Sequence, residues 1–393
     1  MLFHFDFANW ARMLRLASRE TNPQARRYAL LVLLLVVPGV ASFHAVCFFL
    51  DGLLFPSLRR TRVRAPVFVV GHARSGTTLV HRLLGEDGER FSSFLLWELH
   101  FPSLLQKKLI RAAARADARW LGGALERRVR VWEEKRYGPM QGVHEMGLTI
   151  PEEDDLVFYW SCASGFWITK LPYMGDLDFF YVDRWSPRRR RRLMRFYRDC
   201  VRRQLCLNGG DRIHLSKNPV FCGRVESLIE EFPDARFVVP VRHPGETIPS
   251  LLKLMRLGWR RLDWDEARMR RCLGILAEQS FDTYLLPFEV LERHPEVPRA
   301  IVDYRDLVAD PAASIGTIYA QLGLPLSPEF EEKLLAEGKR ARSHVSAHSY
   351  SLAEFGLDEG AIRVRLAALF ARFGWDETGP SAGAAAEPEG GRA

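Results

Sequence analysis

The chain of 393 residues carries a formal net charge of +8, with 47% hydrophobic and 26% charged residues. That apolar content excludes wholesale disorder, and the length fits two or three domains or one large α/β domain with insertions. Six cysteines, at positions 47, 162, 200, 206, 222 and 272, form no CxxC and no paired Cys/His spacing. This excludes a disulfide scaffold, argues against a zinc site and points to a reducing compartment. The positive surplus suits an anionic ligand or a membrane surface. The basic residues are scattered and no zinc-finger or RNA-binding signature occurs, so no nucleic-acid partner is expected.

In chain order, residues 1–28 read as a basic amphipathic region, and 29–55 as a hydrophobic, membrane-associated segment. Within it, 29–50 are 22 positions without a formal charge, about 33 Å as a helix and so long enough to cross a bilayer. Pro38-Gly39 interrupts the middle. The segment either kinks and spans, turns back as a shallow hairpin, or is a buried core helix. Five arginines (12–27) flank one side and four (59–64) the other, so charge sets no orientation.

After Pro66 the texture becomes that of an α/β protein. Short apolar runs at Val67–Val70, Ile213–Leu215, Phe237–Val241 and Ile301–Val302 read as buried parallel strands. Helical spacing is expected over Thr78–Leu84, 188–206, 222–231, 245–257, 265–293 and 312–321. Strands alternating with helices imply βαβ units and a central parallel sheet flanked by helices. Residues 376–393, rich in Gly, Ala, Pro and Glu, read as a disordered tail.

The most informative string is Gly71-His-Ala-Arg74-Ser75-Gly76-Thr77-Thr78, which follows a strand and opens a helix. Two glycines five apart let backbone N–H groups at a helix start wrap a phosphate, as in a P-loop. A nucleoside triphosphatase needs Lys where Thr77 stands, and the apolar Phe237–Val241 strand runs into Arg242 where such an enzyme would carry an Asp for magnesium. The loop suits a phosphate but lacks the equipment for triphosphate hydrolysis.

Arg74-Ser75-Gly76-Thr77-Thr78 resembles the 5′-phosphosulfate loop of sulfotransferases that use 3′-phosphoadenosine-5′-phosphosulfate (PAPS). The family also carries an Arg at a later strand end and a Ser eight residues on, both for the 3′-phosphate; Arg242 and Ser250 match that pattern. Asp51-Gly-Leu-Leu-Phe55-Pro56, Trp97-Glu98, Pro151-Glu-Glu-Asp154, Ser216-Lys217-Asn-Pro219 and Tyr304-Arg-Asp-Leu look like the bacterial-type branch, as does His348–Leu357. The resemblance runs from about Asp51 to Trp375. It implies a P-loop NTPase-like sulfotransferase fold over 64–375, preceded by an N-terminal hydrophobic membrane helix or hairpin.

It also implies roles. Arg74, Ser75, Gly76, Thr77, Thr78, Arg242 and Ser250 would bind PAPS. Arg74 would stabilise the leaving phosphate, Glu98 would be the general base with His100 and His144 as rivals, and Lys217 would contact the sulfonate or the acceptor. No metal is required, because a sulfuryl group carries little net charge. The acceptor would be a hydroxyl, less readily an amine, of a carbohydrate, lipid or other small molecule. The aromatic-rich segment 158–185 reads as core packing or as an acceptor wall. Arg188–Arg192 reads as a solvated helix face, with contact to anionic lipid as the second reading. The catalytic domain is expected on the cytoplasmic side of a membrane, with a Golgi-lumenal type II enzyme as the alternative. A P-loop kinase or NTPase and an inactive nucleotide-binding membrane protein are the rival functions.

Overall fold

The valine-rich runs ending in Gly, Lys, Arg or Asp become the strands of one sheet. The computed structural model describes residues 2–138, 146–341 and 352–378. The strands are β1 (Val67–Val69), β2 (Phe91–Ser92), β3 (Ile213–Lys217), β4 (Arg236–Val241) and β5 (Arg299–Asp303), in the order β2-β3-β1-β4-β5. β2 pairs parallel with β3, Phe91 opposite Ile213, and β4 pairs parallel with β5, Val241 opposite Asp303. Val67, Phe68 and Val69 are fully buried, as expected of strands covered on both faces. The two-residue β2 was not anticipated; it is too short to show a period.

The expected helices are present: Thr77–Gly85, Pro187–Leu207, Val225–Glu231, Pro244–Arg260, Glu266–Arg293 and Pro311–Gln321. Their starts follow capping chemistry. Asp265 accepts the Arg268 N–H at 2.8 Å, and Asp310 accepts the Ala313 N–H at 3.2 Å, just ahead of Pro311. Helices Leu104–Trp120 and Ala124–Tyr137 had no counterpart in the sequence reading.

The chain forms two compact units. The first holds residues through Phe68, Gly88–Asn218 and Glu226–Ala235; the second holds Val69–Asp87, Pro219–Val225 and the chain from Arg236 onward. In the second unit, the Val70 N–H donates to the Val238 carbonyl at 2.9 Å, which joins the end of β1 to β4.

In the first unit the hydrophobic segment is one helix from Pro23 to Leu54, so the hairpin expectation is corrected. Pro38 does not break it. A π-helical turn at Val32–Val36 precedes the proline, and such a widened turn accommodates the missing N–H and the ring. The helix is fastened along its length. Trp10 Nε1 donates to the Leu33 carbonyl at 2.8 Å, and the His44 ring meets the Gln106 amide. The Asp51 carboxylate accepts from Ser103 Oγ, the Leu104 and Leu105 N–H groups and Arg203 Nε, all within 3.0 Å. Asp51 thus caps the Leu104–Trp120 helix from outside, and its pair with Arg203 is fully buried. Leu33, Val37, Ala41, His44, Cys47 and Asp51 form the inward stripe. On the other face Leu35 and Leu53 are 69% and 63% exposed.

Candidate functional site

In the second unit, the loop after β1 is shaped by glycine. A Cβ on Gly71 would lie 2.7 Å from the Pro240 carbonyl oxygen, and one on Gly76 would lie 2.8 Å from Tyr304 Cδ2. Gly76 also has φ +92°, the left-handed region, and is the N-cap of the Thr77–Gly85 helix, with no side-chain cap on the N–H groups that follow. Ser75 Oγ donates to the His72 and Pro240 carbonyls, at 2.6 and 3.0 Å. Its hydroxyl therefore ties the loop to β4 rather than projecting outward. Thr77 is buried and Thr78 exposed.

The loop after β1 and the end of β4 are neighbours, joined where the Val70 N–H meets the Val238 carbonyl, and ligands of α/β sheets bind at the C-terminal ends of such strands. Arg242 follows β4 there. Its guanidinium pairs with Glu246, lies 4.3 Å from the Tyr304 ring centroid, and points Nη1 at the Arg74 carbonyl, 3.5 Å away. Arg74 Nε donates to Ser250 Oγ at 3.1 Å. Arg74, Arg242 and Ser250 therefore meet, although 176 positions separate Arg74 from Ser250. Behind them Tyr284 donates to the Arg242 carbonyl at 2.7 Å, and His72 stacks on Tyr284 with centroids 4.9 Å apart. Burial lowers the His72 pKa to about 4, so the ring is neutral at pH 7.

Glu246, Tyr284 and Tyr304 were not singled out from sequence. Tyr304 lay within a recognised stretch, but only the fold shows that it backs both Gly76 and Arg242.

In the first unit, Glu98 is fully buried. Its carboxylate accepts the Leu95 N–H at 3.0 Å, Gln204 Nε2 at 2.7 Å and Arg111 Nη2 at 3.1 Å. Arg111 is 38% exposed along its side chain. Lys107 Nζ donates to Gln204 Oε1 at 2.6 Å, and burial lowers its pKa to about 8, with Glu98 pulling the other way. The glutamate therefore anchors the start of the Leu96–His100 helix and ends a chain of buried polar groups. His100 sits at the far end of that helix, its pKa lowered by burial. His144 lies outside the described residues.

Lys217, at the end of β3, is buried and donates to Glu152 at 3.3 Å and Glu153 at 3.2 Å. Burial alone would lower its pKa, but the two carboxylates outweigh that and hold it raised. Asp154, from the same acidic run, accepts from Tyr197 Oη at 2.5 Å and lies 2.7 Å from His214 Nε2. Of the aromatics in 158–185, Phe158, Trp167, Tyr173, Phe179 and Phe180 are core, whereas Tyr159, Trp160, Phe166, Tyr181 and Trp185 are half-buried. Among the described residues, no group of three or more His, Cys, Asp or Glu could hold a metal ion.

The family model described as "Sulfotransferase family" matches residues 66–328, more than half of the chain. The chain belongs to the sulfotransferase family. Two relatives, from Mycobacterium bovis and Mycobacterium tuberculosis, are each named omega-hydroxy-beta-dihydromenaquinone-9 sulfotransferase Stf3. Each is 26% identical over 278 residues, 66% of this chain and 63% of the relative. The match thus spans less than two thirds of their length. Among solved structures, sulfotransferase STF9 from Mycobacterium avium superposes with a TM-score of 0.69 at 20% identity, covering 95% of this chain and 93% of that one. STF1 from Mycobacterium tuberculosis gives 0.64 at 21%, covering 93% and 94%. These likenesses show that the chain shares their fold.

Proposed function

We propose that this sulfotransferase moves a sulfuryl group from PAPS to the hydroxyl of a lipid acceptor. The observation that carries the reading is the meeting of Arg74, Arg242 and Ser250 beside a glycine loop at the β1–β4 edge. The loop and helix start at Gly76–Thr78 suit the 5′-phosphate by backbone N–H groups, and Arg242 with Ser250 suits the 3′-phosphate. Gly71 and Gly76 let this loop pack against Pro240 and Tyr304, which holds its N–H groups in place for an anion.

In the reaction, a bond forms from the acceptor oxygen to sulfur as the bond from sulfur to the bridging phosphate oxygen breaks. Arg74 stabilises the charge growing on that leaving oxygen, and Glu98 takes the acceptor proton. The Glu98 carboxylate accepts three hydrogen bonds, two on Oε2 and one on Oε1, so the open lone-pair site for the acceptor proton is on Oε1, the oxygen paired with the half-exposed Arg111. Lys217 is assigned toward the sulfonate by the resemblance alone, since its ammonium is already paired with Glu152 and Glu153.

The lipid acceptor is supported by relatives named for a menaquinone derivative and by the apolar Pro23–Leu54 helix. That helix is anchored at Leu33, His44 and Asp51, points about 27 Å apart end to end. A helix held along such a length is suited to lie in a membrane surface by its exposed face rather than to cross it. The reading places the catalytic part on the cytoplasmic side.

The test is transfer of radiolabelled sulfate from PAPS by the full chain in the presence of extracted polar lipids. Label in a lipid, dependent on Arg74, is the expected result. Failure to consume PAPS with any lipid or carbohydrate hydroxyl would count against the assignment.

A further inference from the structure

The arginine run on the Pro187–Leu207 helix divides by face. Arg189 pairs with Asp6 at 2.8 Å and stacks over Trp185, and Arg190 pairs with Glu230. Arg188, Arg191, Arg192 and Arg195 share another face by their spacing, and all four are exposed. Among the described residues, none of these four side chains makes a hydrogen bond or an ion pair within 4.0 Å, although Arg195 acts on Glu231 at longer range. All four line a groove of about 980 Å³, at the upper end of ligand pockets of roughly 300–1,000 Å³.

The rest of the groove is mostly apolar, with Ser42 and Asp199 as polar lining and Asp199 paired to Arg202 at 3.6 Å. Leu2, Phe3, Phe5, Phe7 and Trp10 supply one wall, and Pro38, Ala41 and Ala45 of the apolar helix supply another. Leu2 and Phe7 are 72% and 70% exposed. Large side chains left open beside a row of unpaired guanidinium groups are costly unless something covers them. One further lining residue faces no partner: His4 is 8% exposed, yet its Nε2 has no hydrogen-bond partner among the described residues. Burial lowers its pKa to about 4, so it offers a neutral polar atom inside an apolar wall.

We infer that this groove is a binding site for one anionic phospholipid. The acyl chain lies along the Leu2–Trp10 and Pro38–Ala45 walls, the phosphate sits on Arg188, Arg191, Arg192 and Arg195, and His4 Nε2 bonds a glycerol or ester oxygen. Charge complementarity selects an anionic headgroup over a zwitterionic one, and the apolar walls select a lipid over a free anion. The site is separate from the sulfuryl-transfer residues and does not depend on the acceptor proposed above. It would favour anionic membranes and hold the enzyme's apolar helix against them.

The experiment uses the full chain and a short-chain lysophosphatidylglycerol below its micelle concentration, with the matched lysophosphatidylcholine and inorganic phosphate as parallel arms, by calorimetry. The expected result is saturable binding of one lysophosphatidylglycerol per chain, at least tenfold tighter than the choline lipid. Binding of 3′,5′-adenosine bisphosphate and the melting temperature should stay unchanged in R191Q/R195Q, while lysophosphatidylglycerol weakens on the order of thirtyfold. A second variant, F7S, keeps the charges and should weaken both lysolipids. Equal binding of the two lysolipids, binding of phosphate as tight as that of the anionic lipid, or undiminished binding in a folded R191Q/R195Q would overturn the site.

Discussion

Arg74 Nε donates to Ser250 Oγ at 3.1 Å, so the phosphate-type loop after β1 and the helix after β4 are bonded side chain to side chain. The bond orients a guanidinium that stands at a positive φ of 73°, a conformation non-glycine residues adopt only under constraint. If Arg74 stabilises the leaving phosphate, Arg74→Ala lowers kcat by about 10²–10³ while 3′,5′-adenosine bisphosphate still binds. Ser250→Ala should weaken that binding and also release Arg74. The double variant will therefore be non-additive by about 0.5–3 kcal/mol, measured as a cycle in kcat/KM. Strict additivity would mean the two side chains act independently.

The glycines make different demands. Gly71→Ala drives a methyl onto the rigid Pro240 carbonyl, and Gly76→Ala adds a strained φ to a clash with Tyr304. Both should lower the melting temperature and abolish bisphosphate binding. Shortening Tyr304 to Leu should partly restore Gly76→Ala but do nothing for Gly71→Ala. Rescue of both would show that neither contact sets the loop.

Glu98 separates a chemical from a structural role by the choice of substitution. Glu98→Ala removes a buried carboxylate that satisfies Leu95, Gln204 and Arg111, and should destabilise by about 3 kcal/mol or more. Glu98→Gln fills the space and still accepts hydrogen bonds, so its melting temperature should fall much less. As a lost base it should nonetheless reduce kcat about 10²–10⁴-fold. A folded Glu98→Gln enzyme with near-normal kcat would move the base elsewhere.

The buried, neutral His72 links the loop to pH. Its pKa of about 4 lies below the ordinary 6.5, so between those values the unfolded chain binds a proton that the folded chain does not. Its contribution is complete above pH 6.5 and is lost as pH falls toward 4, up to roughly 3 kcal/mol. Urea unfolding at pH 7.5 and 5 should show this loss, and His72→Asn should reduce it by the share of His72, leaving the part due to the similarly buried His4 and His44. An unchanged pH slope in that variant would show that His72 is not the titrating group.

The two strings that meet through Arg74, Arg242 and Ser250 were legible because their signals are local. Gly71–Thr78 and Arg242–Ser250 are short strings at strand–helix junctions, and each junction is announced by an apolar run. What supports them was not legible. Tyr284 and Tyr304 reach Arg242 only through the tertiary fold, and no spacing in the chain encodes that, whereas Glu246, four residues past Arg242, is a local neighbour that was passed over. Two of the three bonds to Glu98 were likewise hidden: Arg111 and Gln204 lie 13 and 106 positions away. The Pro38-Gly39 pair was misleading in one direction, because a π-turn upstream absorbs the proline and the helix runs on. The split of the Arg188–Arg192 run into paired and unpaired faces needed the partners Asp6 and Glu230, remote in sequence on either side.

The central claim is that one adenine nucleotide is held by two phosphates at two strand ends. It is tested most directly by calorimetric titration of 3′,5′-adenosine bisphosphate, ATP and AMP into the wild-type protein and Arg242→Ala. The account predicts that the bisphosphate binds tightest to the wild type and weakens about 10–100-fold in the variant, the worth of charge-assisted bonds to one phosphate, while AMP is little changed. Tighter binding of ATP, or a bisphosphate affinity indifferent to Arg242, would contradict it.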